Sequence, residues 1–197
     1  MSKALFALPF AAIALIAAAP KPKVAAAPPP PSVVAPAEVA ANPANKLSLE
    51  LSNGGTVVIQ MRPDLAPLHV QRVQTLVRQG FYNGLPFHRV IPGFMAQGGD
   101  PKGTGEGGSD LPDLKAEFTS LPFLRGTVAA ARTDNPDTAN SQFFIMFGPR
   151  GMPNDYTIWG RVTAGMDAVD TIAVGEPPAE PTKIVRAYLG NAAATSN

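Results

Sequence analysis

Apolar positions along the chain fall into short runs with two spacings, and each change of spacing marks an element. KLSLEL (46–51) alternates apolar and polar residues at period two, as a half-buried strand does. SNGG then supplies a hairpin turn, and TVVIQMR (56–62) returns as a second strand ended by Pro63 and Pro67. LHVQRVQTLVRQG (68–80) moves to helical spacing through Val70, Val73, Leu76 and Val77 and stops at Gly80. This predicts an amphipathic helix laid over a sheet, with His69 in its first turn and exposed. After Pro86, strand-like runs recur: FHRVI, FMAQGG, GTVAAAR, SQFFIMF, TIWGRV and KIVRAYL. MDAVDTIAV (166–174) reads as a second short helix before Pro177 and Pro178. Many short strands with few helices predict a sandwich or a barrel. Within 142–147, period two puts Gln142, Phe144 and Met146 on one side and Phe143, Ile145 and Phe147 on the other.

Before residue 45 the texture is different. MSKALFALPFAAIALIAAAP holds one lysine, Lys3, and then an apolar stretch from Ala4 to Ala19 interrupted by Pro9. A membrane helix wants roughly 20 apolar residues, so this shorter run fits a secretory signal peptide better. The signal peptide is placed at 1–26, with several small residues able to serve as the cleavage point. An uncleaved anchor that holds the domain at a membrane is the alternative. Of the 22 prolines, Pro20, Pro22, Pro28–Pro31, Pro36 and Pro43 crowd this end of the chain. Residues 27–44 are therefore expected to form a disordered, extended Pro/Ala-rich tether rather than a helix. Residues 45–191 form the predicted globular domain, and 192–197 a disordered tail.

Net charge is +1 with 16% charged residues, so no basic field recommends nucleic acid as a partner. With no cysteine and only His69 and His88, thiol nucleophiles, disulfides, Cys-ligated zinc and three-histidine metal sites are excluded. GTGEGG (103–108) satisfies G-x-G-x-x-G formally, but Ser109-Asp110-Leu111-Pro112 is a poor helix opening and the string reads as a surface loop. Ser141 lacks the G-x-S-x-G elbow. Asp134, Asp137 and Asp155 lie near turn signals, where carboxylates commonly bind local amides. What remains is an arginine, two glutamines and several Phe and Met residues on short strands. Arg89 stands out, set among Phe87, Val90, Ile91, Phe94 and Met95 where an unpartnered arginine is not expected to be buried. Chemistry built from this set works by shape and hydrogen bonding, without cofactor or metal.

In order along the chain, FHRVIPGFMAQGGD, GTGEGG, GTVAAAR, NSQFFI and YTIWGRV resemble the cyclophilin family of peptidyl-prolyl isomerases, from about Lys46 to Leu189. The resemblance implies a mainly β fold, a closed eight-stranded antiparallel β-barrel capped by two α-helices. It implies that Arg89 is catalytic, donating to the prolyl nitrogen of a twisted X-Pro amide. It implies that Phe94, Met95 and Phe144 grip the proline ring, that Gln97 holds the substrate backbone, and that Gln142 orients Arg89. Gly103 matches a groove glycine, and Ala131 and Arg132 match the groove for residues preceding proline, although many members have Asn in place of Arg132. Tyr156 stands where many relatives have a His. GPRGMPND (148–155) occupies the loop that often carries a pocket Trp, with Met152 the nearest apolar substitute, while Trp159 is expected to pack structurally.

The partners implied are proline-containing polypeptides, with weak cyclosporin binding and a monomeric state. Signal peptide and resemblance together suggest an exported, periplasmic protein of bacterial type that assists folding. A module that docks proline segments without catalysis, and a scaffold that merely presents loops, are the competing functional classes. Retention of Arg89 beside Phe94 and Gln97 favours the enzyme.

Overall fold

The computed structural model describes residues 32–190. The predicted signal peptide, the first part of the tether and the predicted tail lie outside the described residues. Eight strands are formed, each on a run read as a strand: β1 (Lys46–Leu51), β2 (Thr56–Met61), β3 (Phe87–Ile91), β4 (Met95–Gly98), β5 (Thr127–Ala130), β6 (Phe143–Met146), β7 (Ile158–Ala164) and β8 (Ile184–Leu189). They make one sheet in the order β3-β4-β6-β5-β7-β2-β1-β8, antiparallel at every pairing. Register shifts at Glu50/Leu51, Val58/Ile59, Phe87/Arg89 and Val128/Ala129 bend the strands. The sheet curls into a half-barrel. Its outer strands β3 and β8 are not laddered along their length as the closed barrel expected from sequence would be. Their backbones meet where the strands begin: Pro86 and Lys183 form an isolated bridge, Phe87 N donates to Thr182 O at 2.9 Å, Ile184 N to Leu85 O at 2.9 Å, and Gly84 N to Ile184 O at 2.6 Å.

The curl separates two apolar clusters. The larger lies inside, with Leu47, Leu49, Ile59, Phe87, Val90, Phe143, Ile145 and Trp159 among its members. Trp159 is buried there, edge-on to Phe143 at 5.9 Å, which is the structural role expected of it. The second cluster, on the other face, holds Met95, Phe123, Ala129, Phe144, Met146 and Ile158. The two sides of β6 thus sort as their alternation predicts: Phe144 and Met146 outward, Phe143 and Ile145 inward.

Helix α1 (Ala37–Ala41), helix α2 (Pro67–Arg78) and helix α3 (Met166–Asp170) accompany the sheet. Pro67 opens α2 at a position where its missing N–H costs nothing. The helix buries Val70, Val73, Leu76 and Val77 and packs on β7 and β8, while α3 packs on β2. His69 is buried, not exposed, because the Glu117 carboxylate accepts from its backbone N and its Nδ1 and from Leu68 N, drawing the first turn inward.

α1 lies within the stretch read as tether. Ala40 N donates to Pro36 O, Val39 is buried, and the carbonyl of Val39 accepts from Asn45 Nδ2 and Gln60 Nε2. Arg62 Nη1 also donates to Ser32 O at 2.9 Å. These partners come from the globular domain, and a local reading of proline content could not include them.

Candidate active site

Strand pairing builds the site as one cross-strand row. Arg89 on β3 is opposite Gln97 on β4, Gln97 is opposite Phe144 on β6, Phe144 is opposite Ala129 on β5, and Ala129 is opposite Ile158 on β7. Directly opposed residues share a face, so the row projects a cation, an amide and then an apolar floor from the outer side of the sheet. Neighbouring positions of that face, Met95 and Met146, extend the floor. Rings complete it: Phe123 stacks on Phe144 with centroids 6.4 Å apart, and Tyr156 meets Phe144 edge-on at 5.6 Å.

Above this floor is a hollow of about 250 Å³ lined by Arg89, Phe94, Met95, Gln97, Ala131, Arg132, Phe144, Met152 and Tyr156. Every lining residue is one that the sequence singled out. Arg132 forms one wall, its guanidinium 4.5 Å from the Tyr156 ring centre and bonded to Asp155 through Nη2 at 2.9 Å. Arg89 is partly exposed at the rim, which answers how an arginine can sit among these apolar residues. An adjoining hollow of about 380 Å³ shares Gln97, Ala131 and Arg132 and continues over Gly105–Ser109, Asn140 and Gln142. The two make a groove in two halves: every aromatic and Met side chain lies in the first, and the second has only Ala131 and glycines beside its polar residues.

A hydrogen-bond chain links the halves. Arg89 Nη1 donates to Gln97 Oε1 at 3.5 Å, Gln97 Nε2 to Gln142 Oε1 at 2.9 Å, and Gln142 Nε2 to the carbonyls of Gly105 and Gly107 at 2.9 and 2.7 Å. Gln142 therefore reaches Arg89 only through Gln97. Gly103 lines neither hollow; it has φ +67° in the loop after β4, where its N–H donates to Asp100 O.

Three residues of the site have no assigned role in the sequence reading. Asp100 is wholly buried beneath that loop and accepts from the backbone N–H groups of Lys102, Thr104 and Gly105. Burial works against its charge, but amides of Lys102, Gly107, Gly105 and Thr104 outweigh burial and hold the carboxyl below its ordinary value. A side chain at Gly107 would collide with the same carboxylate, so the loop is built around Asp100. The Gly-Gly-Asp ending of FHRVIPGFMAQGGD ahead of a glycine-rich loop was the available signal. Arg150 covers the Phe94 ring at 4.2 Å. Glu176 binds Arg89 from the far end of the chain, and no local pattern pointed to it.

A family model described as cyclophilin type peptidyl-prolyl cis-trans isomerase/CLD matches residues 46–189, the span that carries every strand. The chain is a member of that family. This cyclophilin is 50% identical over 167 residues to a probable peptidyl-prolyl cis-trans isomerase of Brucella suis, covering 76% of the chain and 85% of the relative. It is 36% identical over 143 residues to peptidyl-prolyl cis-trans isomerase-like 1 of Homo sapiens, covering 68% and 86%. Its fold matches a crystal structure of a cyclophilin from Hirschia baltica with a TM-score of 0.68 at 30% identity, over 75% of this chain and 74% of that one. It is thus an enzyme, a peptidyl-prolyl cis-trans isomerase, and its substrates are proline-containing polypeptides.

Proposed function

We propose that this isomerase turns X-Pro bonds by holding the twisted amide, with Arg89 donating a hydrogen bond to the prolyl nitrogen. Amide resonance sets a barrier of ~18–20 kcal/mol. In the twisted state resonance is lost and the nitrogen recovers a lone pair that can accept a hydrogen bond. A donor aimed at that nitrogen binds the twisted state better than either planar form, which is the condition for catalysis. Uncatalysed exchange takes ~10–100 s. Turnover near 10³ per second needs a reduction of about 5–7 kcal/mol at ~1.36 kcal/mol per decade. A charged donor, a dry apolar floor and a held backbone are sufficient for that, and no covalent step is required.

The observation that carries the reading is the cross-strand row that sets Arg89 at the rim of an apolar hollow floored by Phe144 and Met95. In this reading Phe94, Met95 and Phe144 enclose the ring, with Met152 standing in for a loop tryptophan and leaving cyclosporin affinity weak. Gln97 holds the substrate backbone, Gln142 keeps Gln97 in place, and Ala131, Arg132 and Tyr156 border the residues preceding proline. The edges of the half-barrel act as closed on one another, β3 against β8, with α2 and α3 covering its ends. The protein works as a monomer exported to a bacterial periplasm, where a signal peptide and the proline-rich segment precede the domain. The Lys3-to-Ala19 sequence pattern and the Brucella relatives support that compartment and source.

Exchange spectroscopy of a short Ala-Pro peptide tests the arginine. Arg89→Ala should lower the catalysed exchange rate about a hundredfold, the loss typical of one transition-state donor, while the protein stays folded and still binds peptide. A folded Arg89→Ala protein with the parent's rate would overturn the assignment.

A further inference from the structure

Arg89 is held from both sides. Across β3–β4 it meets Gln97, and on its other side the chain after α3 returns as a short extended stretch. Val90 N donates to Gly175 O at 2.8 Å, and Gly175 N donates back to Val90 O at 3.1 Å. This isolated antiparallel bridge sets residue 176 directly opposite residue 89. The Glu176 carboxylate accepts from Arg89 Nε at 2.7 Å. Gln97 accepts from Nη1 at 3.5 Å, and Nη2 has no hydrogen-bond partner among the described residues.

We propose that Glu176 is a positioning residue for the isomerase reaction: its carboxylate fixes the plane of the Arg89 guanidinium and presents the Nη edge to the substrate. The proposal rests on the reading of Arg89 as the donor to the prolyl nitrogen. A guanidinium carries its donors in a planar fork, so an acceptor on Nε fixes where the Nη donors point. Without it, the terminal torsions of an arginine whose side chain is 44% exposed are free to turn toward water. The backbone supports the same contact. Gly175 has φ +147°, and a Cβ there would lie 2.6 Å from the Pro178 Cα. Only glycine allows the chain to pair with Val90 and then turn at once into Pro177-Pro178. Both partners are half-exposed, so the pair contributes little to stability, and its consequence is geometric.

The test compares the full chain with Glu176→Ala, Glu176→Gln and Arg89→Ala. Four quantities are read: catalysed exchange of an Ala-Pro peptide, the Kd of that peptide, the melting temperature, and the NMR signal of the Arg89 Nε–H. Glu176→Ala should slow exchange roughly tenfold, short of the ~10²-fold that a 1 Å misplacement of a reacting group can cost. Its Kd and melting temperature should stay near those of the parent, and the Nε–H signal should shift and exchange faster with water. Glu176→Gln keeps an acceptor for Nε and should recover most of the lost rate. Loss of rate in Arg89→Ala with an unchanged or faster rate in Glu176→Ala would overturn the positioning role and leave the donor reading standing. A slow Glu176→Ala protein whose Nε–H signal is unmoved, or whose peptide binding falls as far as its rate, would also overturn it. A parent-like rate in Arg89→Ala would remove the donor reading, and with it anything for Glu176 to position.

Discussion

Asp100 carries its charge with none of its surface in contact with solvent, because three loop N–H groups point at its carboxylate. The loop so fixed offers the Gly105 and Gly107 carbonyls to Gln142, which holds Gln97, which touches Arg89. Replacing Asp100 by Asn puts an NH2 group where amides already donate. Asp100→Asn should therefore cost about 2–4 kcal/mol of stability in denaturant unfolding, the range of a broken buried network. It should also slow exchange without any contact to substrate. A variant within about 0.5 kcal/mol of the parent, the level of an indifferent surface change, would show that the loop holds its shape unaided. Residues such as Arg89, Phe94 and Phe144 were legible because they stand inside specific motifs. Asp100 closes one of those motifs, but its role, like that of Glu176, was not legible, since each acts through a fold-dependent contact. Glu176 reaches Arg89 across 87 positions of sequence.

The eight strands were readable at the scale of elements because alternation and turn residues agree along most of the chain. β6 is the clearest example: a run apolar on both faces, placed between the core and the site floor, with each side sorted by its alternation. Reading the proline-rich segment by composition failed where tertiary partners decide the outcome. Pro36 does not bar α1, since it accepts at the helix start instead of donating, and Asn45 and Gln60 fix the Val39 carbonyl. The first turn of α2 went the same way. His69 was expected to be exposed in that turn, and Glu117, 48 residues on, draws it inward.

For the whole molecule, three buried titratable groups bear on stability with the same sign. Burial lowers His69 and His88 below the ordinary 6.5; Glu117 opposes the shift at the first, and Asp100 at the second. Arg72 and Arg89, respectively, lower them further. Below about pH 6.5 the unfolded chain binds these protons before the folded one does, so stability falls with pH in that range. Asp100, held below its ordinary 3.8, continues the loss at more acid pH. Unfolding free energy should thus be full above about pH 7 and decline steadily to pH 5 and below. A flat or rising profile over that range would contradict the burial of both imidazoles. Sheet order and curl follow from register shifts and pairings that no local pattern reports, which is why strand number was legible and the lack of a continuous β3–β8 ladder was not. The central claim is that a proline ring sits in the hollow between Arg89 and Phe144. The direct measurement is a set of intermolecular NOEs from a bound Ala-Pro peptide to the full chain. Contacts from the proline ring protons to the Met95 methyl and the Phe94 and Phe144 rings are the predicted result. Proline contacts confined to the polar hollow around Gly107 and Asn140, or absent from this face of the sheet, would contradict it.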